Sequence, residues 1–439
     1  MPKKLSLLAL VAMGCNAAAP DAVEPTAMPS ATETAPKVAA TQTASAPAAE
    51  PTPAEKRGPV TYDDDLAFLK KHGEVIELSS PSGGRVAVSA KYQGRVMTSA
   101  VDAKGRSLGF VFRKFIEEGK TGTQFDNYGG EDRFWLGPEG GQFGLYFPKG
   151  KPFTIADWKT PDAFQTGTWD VTKKSAESVA FKRAMKLENY SGAPFELEVT
   201  RTIDLVAEAE AKSRLGLKPG DDIKWVAFKT TNELTNTGKN AWTKEKGLLS
   251  VWILGMYNPS PDTKVVIPFE PLRSSEKADG EIVNDRYFGK VPADRLKIDE
   301  KAGVLFFTCD AQHRSKIGLG PARARPFAGS YSASAKLLTI VEIDPPSKTG
   351  DYVNSMWETQ KEPFKGDVIN SYNDGPTEPG KASLGGFYEL ESSSRAAALA
   401  PKAKLVHTHR TYHFVGEAAA LDPIAKKALG VTVAQITAP

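Results

Sequence analysis

The sequence predicts an all-β protein built as a large antiparallel β-sandwich, and three features carry that expectation. Short segments rich in β-branched residues recur along most of the chain, as in Arg85-Val86-Ala87-Val88-Ser89 and Arg95-Val96-Met97-Thr98-Ser99. Turn chemistry separates them: Tyr190-Ser191-Gly192, Asn236-Thr237-Gly238 and Asn373-Asp374-Gly375-Pro376. No helices of ten or more residues interleave with the strands, which argues against βαβ units and a parallel sheet. No repeat at a fixed period appears either, so a sandwich is preferred to a propeller.

The chain has 439 residues with 56 Lys+Arg against 53 Asp+Glu, a formal charge of +3. That balance supplies no field for nucleic acid, and no nucleic-acid partner is expected. The N-terminus reads as an export signal. Lys3 and Lys4 form a positive region, Leu5–Val11 an apolar one, and Ala12-Met13-Gly14 leads to Cys15. The pattern resembles a bacterial lipoprotein signal, which implies that Cys15 is acylated as the mature N-terminus. It departs from that pattern at Ala12, where Leu is usual. Asn16 stands where inner-membrane retention signals carry Asp, so a lipid anchor at the outer membrane of the cell envelope is expected. Residues 16–58 are mostly Ala, Pro, Thr, Ser and Glu, too poor in large apolar groups to fold, and read as a flexible spacer. One domain is expected over 59–439. If Cys15 carries lipid, Cys309 has no partner, and its apolar strand predicts a buried, inert thiol.

Order begins with a short helix. Thr61 suits its N-cap, Asp63, Asp64 and Asp65 suit its positive end, Leu66, Phe68 and Leu69 its apolar side, and Gly73 its stop. Strands are then expected at Val75–Leu78, 85–89, 95–99, Phe195–Leu205, Ile223–Thr230, Leu248–Leu254, Val304–Cys309, Leu337–Ile343 and Leu405–Val415. Pro423–Leu429 reads as a last helical turn or two.

The densest chemistry lies in Asn127–Phe147. Its glycines, Gly129, Gly130, Gly137, Gly140 and Gly141, permit unusual backbone angles or close approach. Glu131, Asp132, Arg133, Trp135 and Glu139 are residue types that bind sugars, with charged groups for the hydroxyls and an indole for the ring face. The alternative is a glycine-rich pair of hairpins whose charges pair with each other and whose aromatics fill core. No phosphate-binding glycine loop, serine-hydrolase elbow or HExxH zinc helix is present. His407 and His409 share one strand face about 7 Å apart, with His413 in phase about 13 Å further on. No carboxylate neighbours the pair, so it reads as polar strand positions facing solvent or a cleft and no metal is assigned. His72 ends the first helix, and His313 lies in the Asp310–Lys316 loop. Glu389 and Glu391 also share a strand face, where paired acids can divide acid and base roles or simply be solvated.

Four motifs carry a resemblance to a family of bacterial exported proteins of unknown function. They are Tyr92-Gln-Gly-Arg-Val-Met-Thr-Ser99, Gly129-Gly-Glu-Asp-Arg-Phe-Trp-Leu-Gly-Pro-Glu-Gly-Gly-Gln142, Gly247-Leu-Leu-Ser-Val-Trp-Ile-Leu-Gly-Met256 and His407-Thr-His-Arg-Thr-Tyr-His-Phe414. More distantly, the layout resembles the galactose mutarotase-like superfamily of aldose 1-epimerases. The shared features are Gly94-Arg95, the Asn236–Gly238 turn, the 387–391 strand and a closing Leu-x-Pro loop. That likeness implies a two-sheet antiparallel β-supersandwich with a sugar-sized cleft on a concave face. It also implies acid/base catalysis, with Glu391 as the base that opens a sugar ring and His409 or His407 as the acid. The chain departs from the epimerases at Thr231-Asn232-Glu233, where they carry an Asn-His motif. It departs again at Leu390-Glu391-Ser392-Ser393, which lacks their Gln.

The functional expectation is therefore a carbohydrate-binding or carbohydrate-processing envelope protein that demands no cofactor. Arg133, Trp135, Glu139, Trp252, Lys316, Asn373, Glu389 and His407 are expected to contact the sugar, with Glu391 and His409 as the catalytic pair. The competing expectation is an envelope interaction protein that keeps the fold without a sugar site. Convergence of Trp135, Glu139 and Glu389 or Glu391 on one open cleft favours the first, and dispersal or sealing in core the second.

Overall fold

Thr61 opens the first helix, α1 (Tyr62–His72), with a reciprocal cap. Its hydroxyl accepts from the Asp64 amide at 3.2 Å, and the Asp64 carboxylate accepts from the Thr61 amide at 3.1 Å. The computed structural model describes residues 60–438 except 123, 217–221, 272–280 and 378–379. Cys15, the expected signal and the expected spacer at 16–58 lie outside the described residues.

Three strands follow α1, β1 (Ile76–Ser79), β2 (Arg85–Ser89) and β3 (Arg95–Ala100). Helix α2 (Arg113–Glu118) and strand β4 (Arg133–Gly137) come next. A run of long strands is formed by β5 (Asp170–Lys174), β6 (Ser178–Glu188), β7 (Pro194–Leu205), helix α3 (Glu208–Leu215) and β8 (Lys224–Asn236). Shorter strands complete the order: β9 (Ser250–Tyr257), β10 (Lys264–Pro268), β11 (Leu296–Asp299), β12 (Val304–Thr308) and β13 (Ser315–Leu319). After them come β14 (Phe327–Ser332), β15 (Leu337–Ile343), β16 (Ile369–Asn373), β17 (Tyr388–Ser393) and β18 (Lys404–Val415). Helices α4 (Ala418–Leu429) and α5 (Val433–Thr437) close the chain.

The strands form a large antiparallel β-supersandwich. A ten-stranded sheet runs β11-β12-β10-β14-β15-β18-β8-β7-β6-β5, and a five-stranded sheet runs β13-β16-β17-β9-β4. Strands β1 to β3 form a third, smaller sheet. Side chains alternate along each strand, so every second residue of β17 enters the space between the two large sheets. Leu390 packs there with Val265, Ile267, Phe307, Val341 and Ile369, drawn from both sheets. At the far edge of the ten-stranded sheet, all five residues of β5 are exposed and two are lysines, charges that discourage pairing with a foreign strand.

Two differences from the sequence expectation concern helices. Helix α4 has twelve residues and carries Pro423 in its interior, so the proline does not start it. Its apolar face, with those of α3 and α5, covers the back of the ten-stranded sheet over Tyr331, Leu338, Tyr412 and Phe414. Burial against that sheet stabilises a helix whose proline lacks a donor. Among the described residues, no helix is long and apolar enough to cross a membrane. Cys309 is free and buried, and burial pushes its thiol pKa up.

Between the sheets, Arg201 of β7 is fully buried and donates to Asp132 at 2.5 Å, to Asn232 at 2.6 Å and to the Gly94 carbonyl at 2.8 Å. Thr230 satisfies the other Asp132 oxygen at 2.9 Å. Removing one partner of such a pair leaves an uncompensated buried charge. The Asp132→Ala variant is expected to lose about 3–5 kcal/mol of unfolding free energy, measured by urea denaturation.

Candidate functional site

The outward face of the five-stranded sheet carries the predicted cluster, one or two residues from each strand. Strand β4 contributes Arg133 and Trp135, β9 contributes Trp252 and Leu254, β17 contributes Glu389, β16 contributes Tyr372 and β13 contributes Lys316. Glu391 lies in phase with Glu389 on the same face, beneath Trp252 and Lys316. Cross-strand pairing sets the neighbours, since Trp135 stands opposite Trp252 and Glu389 opposite Tyr372.

These charges are matched, and they are dry. Arg133 donates to Glu389 at 2.5 Å, with both side chains under a tenth exposed. Lys316 donates to Glu391 Oε2 at 2.9 Å, and the Trp252 indole donates to the same oxygen at 2.8 Å. Glu139, on the segment after β4, accepts from the Trp158 indole at 2.9 Å. Each cation also rests on an aromatic face: Arg133 is 4.1 Å from the Trp135 ring centre and Lys316 is 4.7 Å from that of Trp252.

Desolvation dominates the acidities. Burial raises the Glu389 pKa to about 8; Arg133 pulls it down and Glu391 pushes it up. Burial also raises Glu139, against the pull of Lys316. For Lys316, burial lowers the pKa, but Glu391 and Glu139 outweigh it and hold it above its ordinary value.

Loops wall the space above this floor. Trp158 and Phe125 line it together with Phe288, Arg314 and Trp357, the last three half-buried, and Trp158 stacks on Trp357 at 6.2 Å. Gly140 makes the Trp357 wall possible. A Cβ there would lie 2.5 Å from the Met356 carbonyl oxygen and 2.9 Å from the Trp357 Cα. Gly129 takes φ +79 and passes so close to Phe110 that any Cβ would clash with its carbonyl, which seats the segment leading into β4. The cavity is about 70 Å³ within an envelope of about 570 Å³ counted to its mouth. Sequence reasoning missed Trp158, Phe288, Arg314, Trp357 and Tyr372. Arg314 was within reach of it, because it stands two residues before Lys316 and shares its phase.

Trp135, Glu139 and Glu389 therefore line one narrow cavity, and Glu391 lies behind that lining, beneath Trp252 and Lys316. Glu139, Glu389 and Glu391 are 6%, 5% and 1% exposed. Arg133 Nε and Trp135 Nε1 of this floor, and Glu391 Oε1 just behind it, are buried with no hydrogen-bond partner among the described residues.

The other expected site residues lie elsewhere. His407 and His409 of β18 point between the sheets, where the Ser392 hydroxyl meets His407 Nε2 and His409 Nδ1, each at 2.8 Å. Ser392 alternates with Glu391, so the two histidines lie on the opposite side of β17 from the carboxylates. The structure thus does not join His409 or His407 to Glu391 as an acid/base pair. Nor do they face solvent. Burial lowers the pKa of His407 to about 3 and of His409 to about 4, so both are neutral at ordinary pH. His413 is likewise internal, 3.0 Å from Glu131. Asn373 does not line the cavity. Its side chain takes the Ala311 amide at 2.8 Å and donates to the His313 carbonyl at 2.9 Å, which fixes the loop before Arg314. Among the described residues, no group of three or more His, Cys, Asp and Glu is arranged to hold a metal.

A model of a family of unknown function, DUF6786, matches residues 60–439. No curated protein matches the chain. Among solved structures, an Escherichia coli K12 protein described as a candidate aldose 1-epimerase is 14% identical, covering 78% of this chain and 99% of its own, with a TM-score of 0.48. A galactose mutarotase-like protein from Lactobacillus casei ATCC 334 is 12% identical, over 77% of this chain and 100% of its own, with a TM-score of 0.42. A galactose mutarotase related enzyme from Lactobacillus acidophilus is 10% identical, over 77% and 97%, with a TM-score of 0.43. At these scores the likenesses bear on neither activity nor substrate.

The raised Glu389 pKa has a consequence for stability. Between its ordinary 4.5 and about 8 the folded state holds a proton that the unfolded state has lost. The stability that proton contributes is complete below pH 4.5 and is lost as pH rises through 8. The difference in urea midpoint between the parent and Glu389→Gln is expected to shift across that window in favour of the variant, and to be flat above it.

Proposed function

We propose that this chain, which belongs to the DUF6786 family, is a lipid-anchored cell-envelope protein whose cavity binds a single sugar. In this reading Glu389 and Glu391 exchange protons with that sugar. The observation that carries the reading is the set of unpartnered polar atoms under the aromatic walls. Arg133 Nε and Trp135 Nε1 are donors, Glu391 Oε1 is an acceptor, and none is satisfied within the described protein. Buried polar atoms are normally paired, so three at one floor call for a polar ligand or water. Trp135 and Trp252 beside them supply apolar faces suited to the C–H side of a sugar ring.

The two carboxylates supply chemistry as well as contacts. With a pKa of about 8, Glu389 holds its proton at neutral pH, whereas Glu391 sits in an ion pair with Lys316. In an anomer exchange, Glu391 accepts the proton of the sugar's O1 hydroxyl while Glu389 donates its proton to the ring oxygen. The C1–O5 bond breaks and an open-chain aldehyde forms; reversal onto the other face gives the second anomer. Glu389 here takes the acid role expected of His409. A cavity of about 70 Å³ is smaller than the roughly 300 Å³ of typical small-molecule pockets. Entry of a sugar ring therefore requires the half-buried side chains at the mouth to move outward.

A second reading, an interaction protein without a sugar site, is favoured by that same small volume. A glycan-binding screen of the full-length chain decides between them. Binding is expected, and Glu391→Gln and Glu389→Gln are expected to slow anomer exchange of the bound sugar about 100-fold, followed by polarimetry. No binding by a well-folded chain supports the second reading instead.

The lipid anchor rests on the signal pattern around Cys15. Cys15→Ser is expected to abolish incorporation of labelled fatty acid and to release the protein from the membrane fraction.

A further inference from the structure

Three cations line the cavity, and only two of them have a carboxylate partner. Arg133 is paired with Glu389 and Lys316 with Glu391. Arg314 makes no ion pair among the described residues. Its guanidinium lies 3.5 Å from the centre of the Phe288 ring and 5.9 Å from that of Trp357 and also meets the Tyr372 hydroxyl, while its Nε is buried without a hydrogen-bond partner. The remaining carboxylates nearby are already engaged. Glu139 accepts from the Trp158 indole at 2.9 Å. Asp374 accepts from the Tyr372 hydroxyl at 3.1 Å and from the Gly385 and Gly386 amides at 3.0 and 2.8 Å.

The position of Arg314 is built. Asn373 pins the residues before it through Ala311 and His313. Ser315 and Lys316 then enter β13, which pairs with β16 in register Ser315↔Asn373 and Lys316↔Tyr372. The Phe288 and Trp357 rings lie against the guanidinium, and Arg314 lines the cavity. A guanidinium on an aromatic platform, with no carboxylate of its own, is a receptor for a planar or tetrahedral oxyanion.

We infer that the sugar this cavity takes is anionic, with its carboxylate or phosphate held by Arg314 at the mouth and its ring against Trp135 and Trp252. The inference rests on the carbohydrate reading above and narrows its ligand class. A uronic acid and a sugar phosphate share the required chemistry, an oxyanion attached to a ring with one apolar face. Burial, which raises both Glu139 and Glu389, leaves the cavity less negative than its three carboxylates imply and so favours the same class.

Calorimetric titration of the full-length chain with galactose, galacturonate and galactose 6-phosphate tests the inference, in parallel with Arg314→Met and Arg314→Lys. At least one anionic sugar is expected to bind about tenfold more tightly than galactose, and whichever gains more identifies the oxyanion. Arg314→Met is expected to bring that preference below about twofold, and Arg314→Lys to keep part of it. Arg314 is half-buried at the mouth, and an unchanged thermal unfolding midpoint shows that the variants fold. Equal affinity for neutral and anionic sugars, or a preference that survives Arg314→Met, overturns the inference and leaves carbohydrate binding standing. No binding of any of the three overturns both.

Discussion

Asp132 and Arg201 meet between two sheets with no solvent on either side, and much of the architecture is arranged around that contact. Two opposite charges taken out of water are tolerable only when every remaining hydrogen-bonding position is filled. Thr230, Asn232 and the Gly94 carbonyl fill them here. The contact joins β7 of the large sheet to the entry of β4 in the small one, and it brings in the turn before β3. The next residue along the chain, Arg133, points the other way and becomes the floor of the cavity. Placement of the site is therefore a by-product of how Asp132 is held.

The cavity floor follows the same logic at lower dielectric cost. Glu389 and Glu391 each face a cation, and each cation lies over an indole. Such a floor is stiff, because moving any one member strips another of its partner. Adaptability resides instead in the loops above it. Phe288, Arg314 and Trp357 are only half-buried and are held largely by ring contacts. A rigid base beneath adjustable walls suits recognition of a small polar ring.

Most strands were legible in the sequence because β-branched runs and Gly/Ser/Asn turns are local signals. β2 and β15 match their expected limits, and the α1 cap is read from Thr61 and Asp64 alone. Helices α3 to α5 were largely illegible, since packing on the back of the large sheet, and not intrinsic propensity, stabilises them. Among candidate site residues, period-two alternation correctly groups Glu389 with Glu391 and His407 with His409. It cannot say which face of a strand is inside. Pairing across β17 decides that, and it sends the carboxylates outward and the histidines inward through Ser392. Asn373 was misread for a related reason. Its residue type suits a sugar, but its partners are backbone groups of the neighbouring loop. Loop residues such as Trp158 and Trp357 reach the cavity through long-range folding of irregular segments, which no local pattern encodes.

Four of the chain's seven tryptophans, Trp135, Trp158, Trp252 and Trp357, surround the one cavity. Neighbouring rings lie 5.6 Å apart for Trp135 and Trp252 and 6.2 Å apart for Trp158 and Trp357. Indoles this close share their electronic excitations, so their near-ultraviolet circular dichroism is a property of the group and depends on mutual ring angles. A ligand that turns any of these rings changes that signal. The protein thus carries its own optical gauge of occupancy, with no label attached.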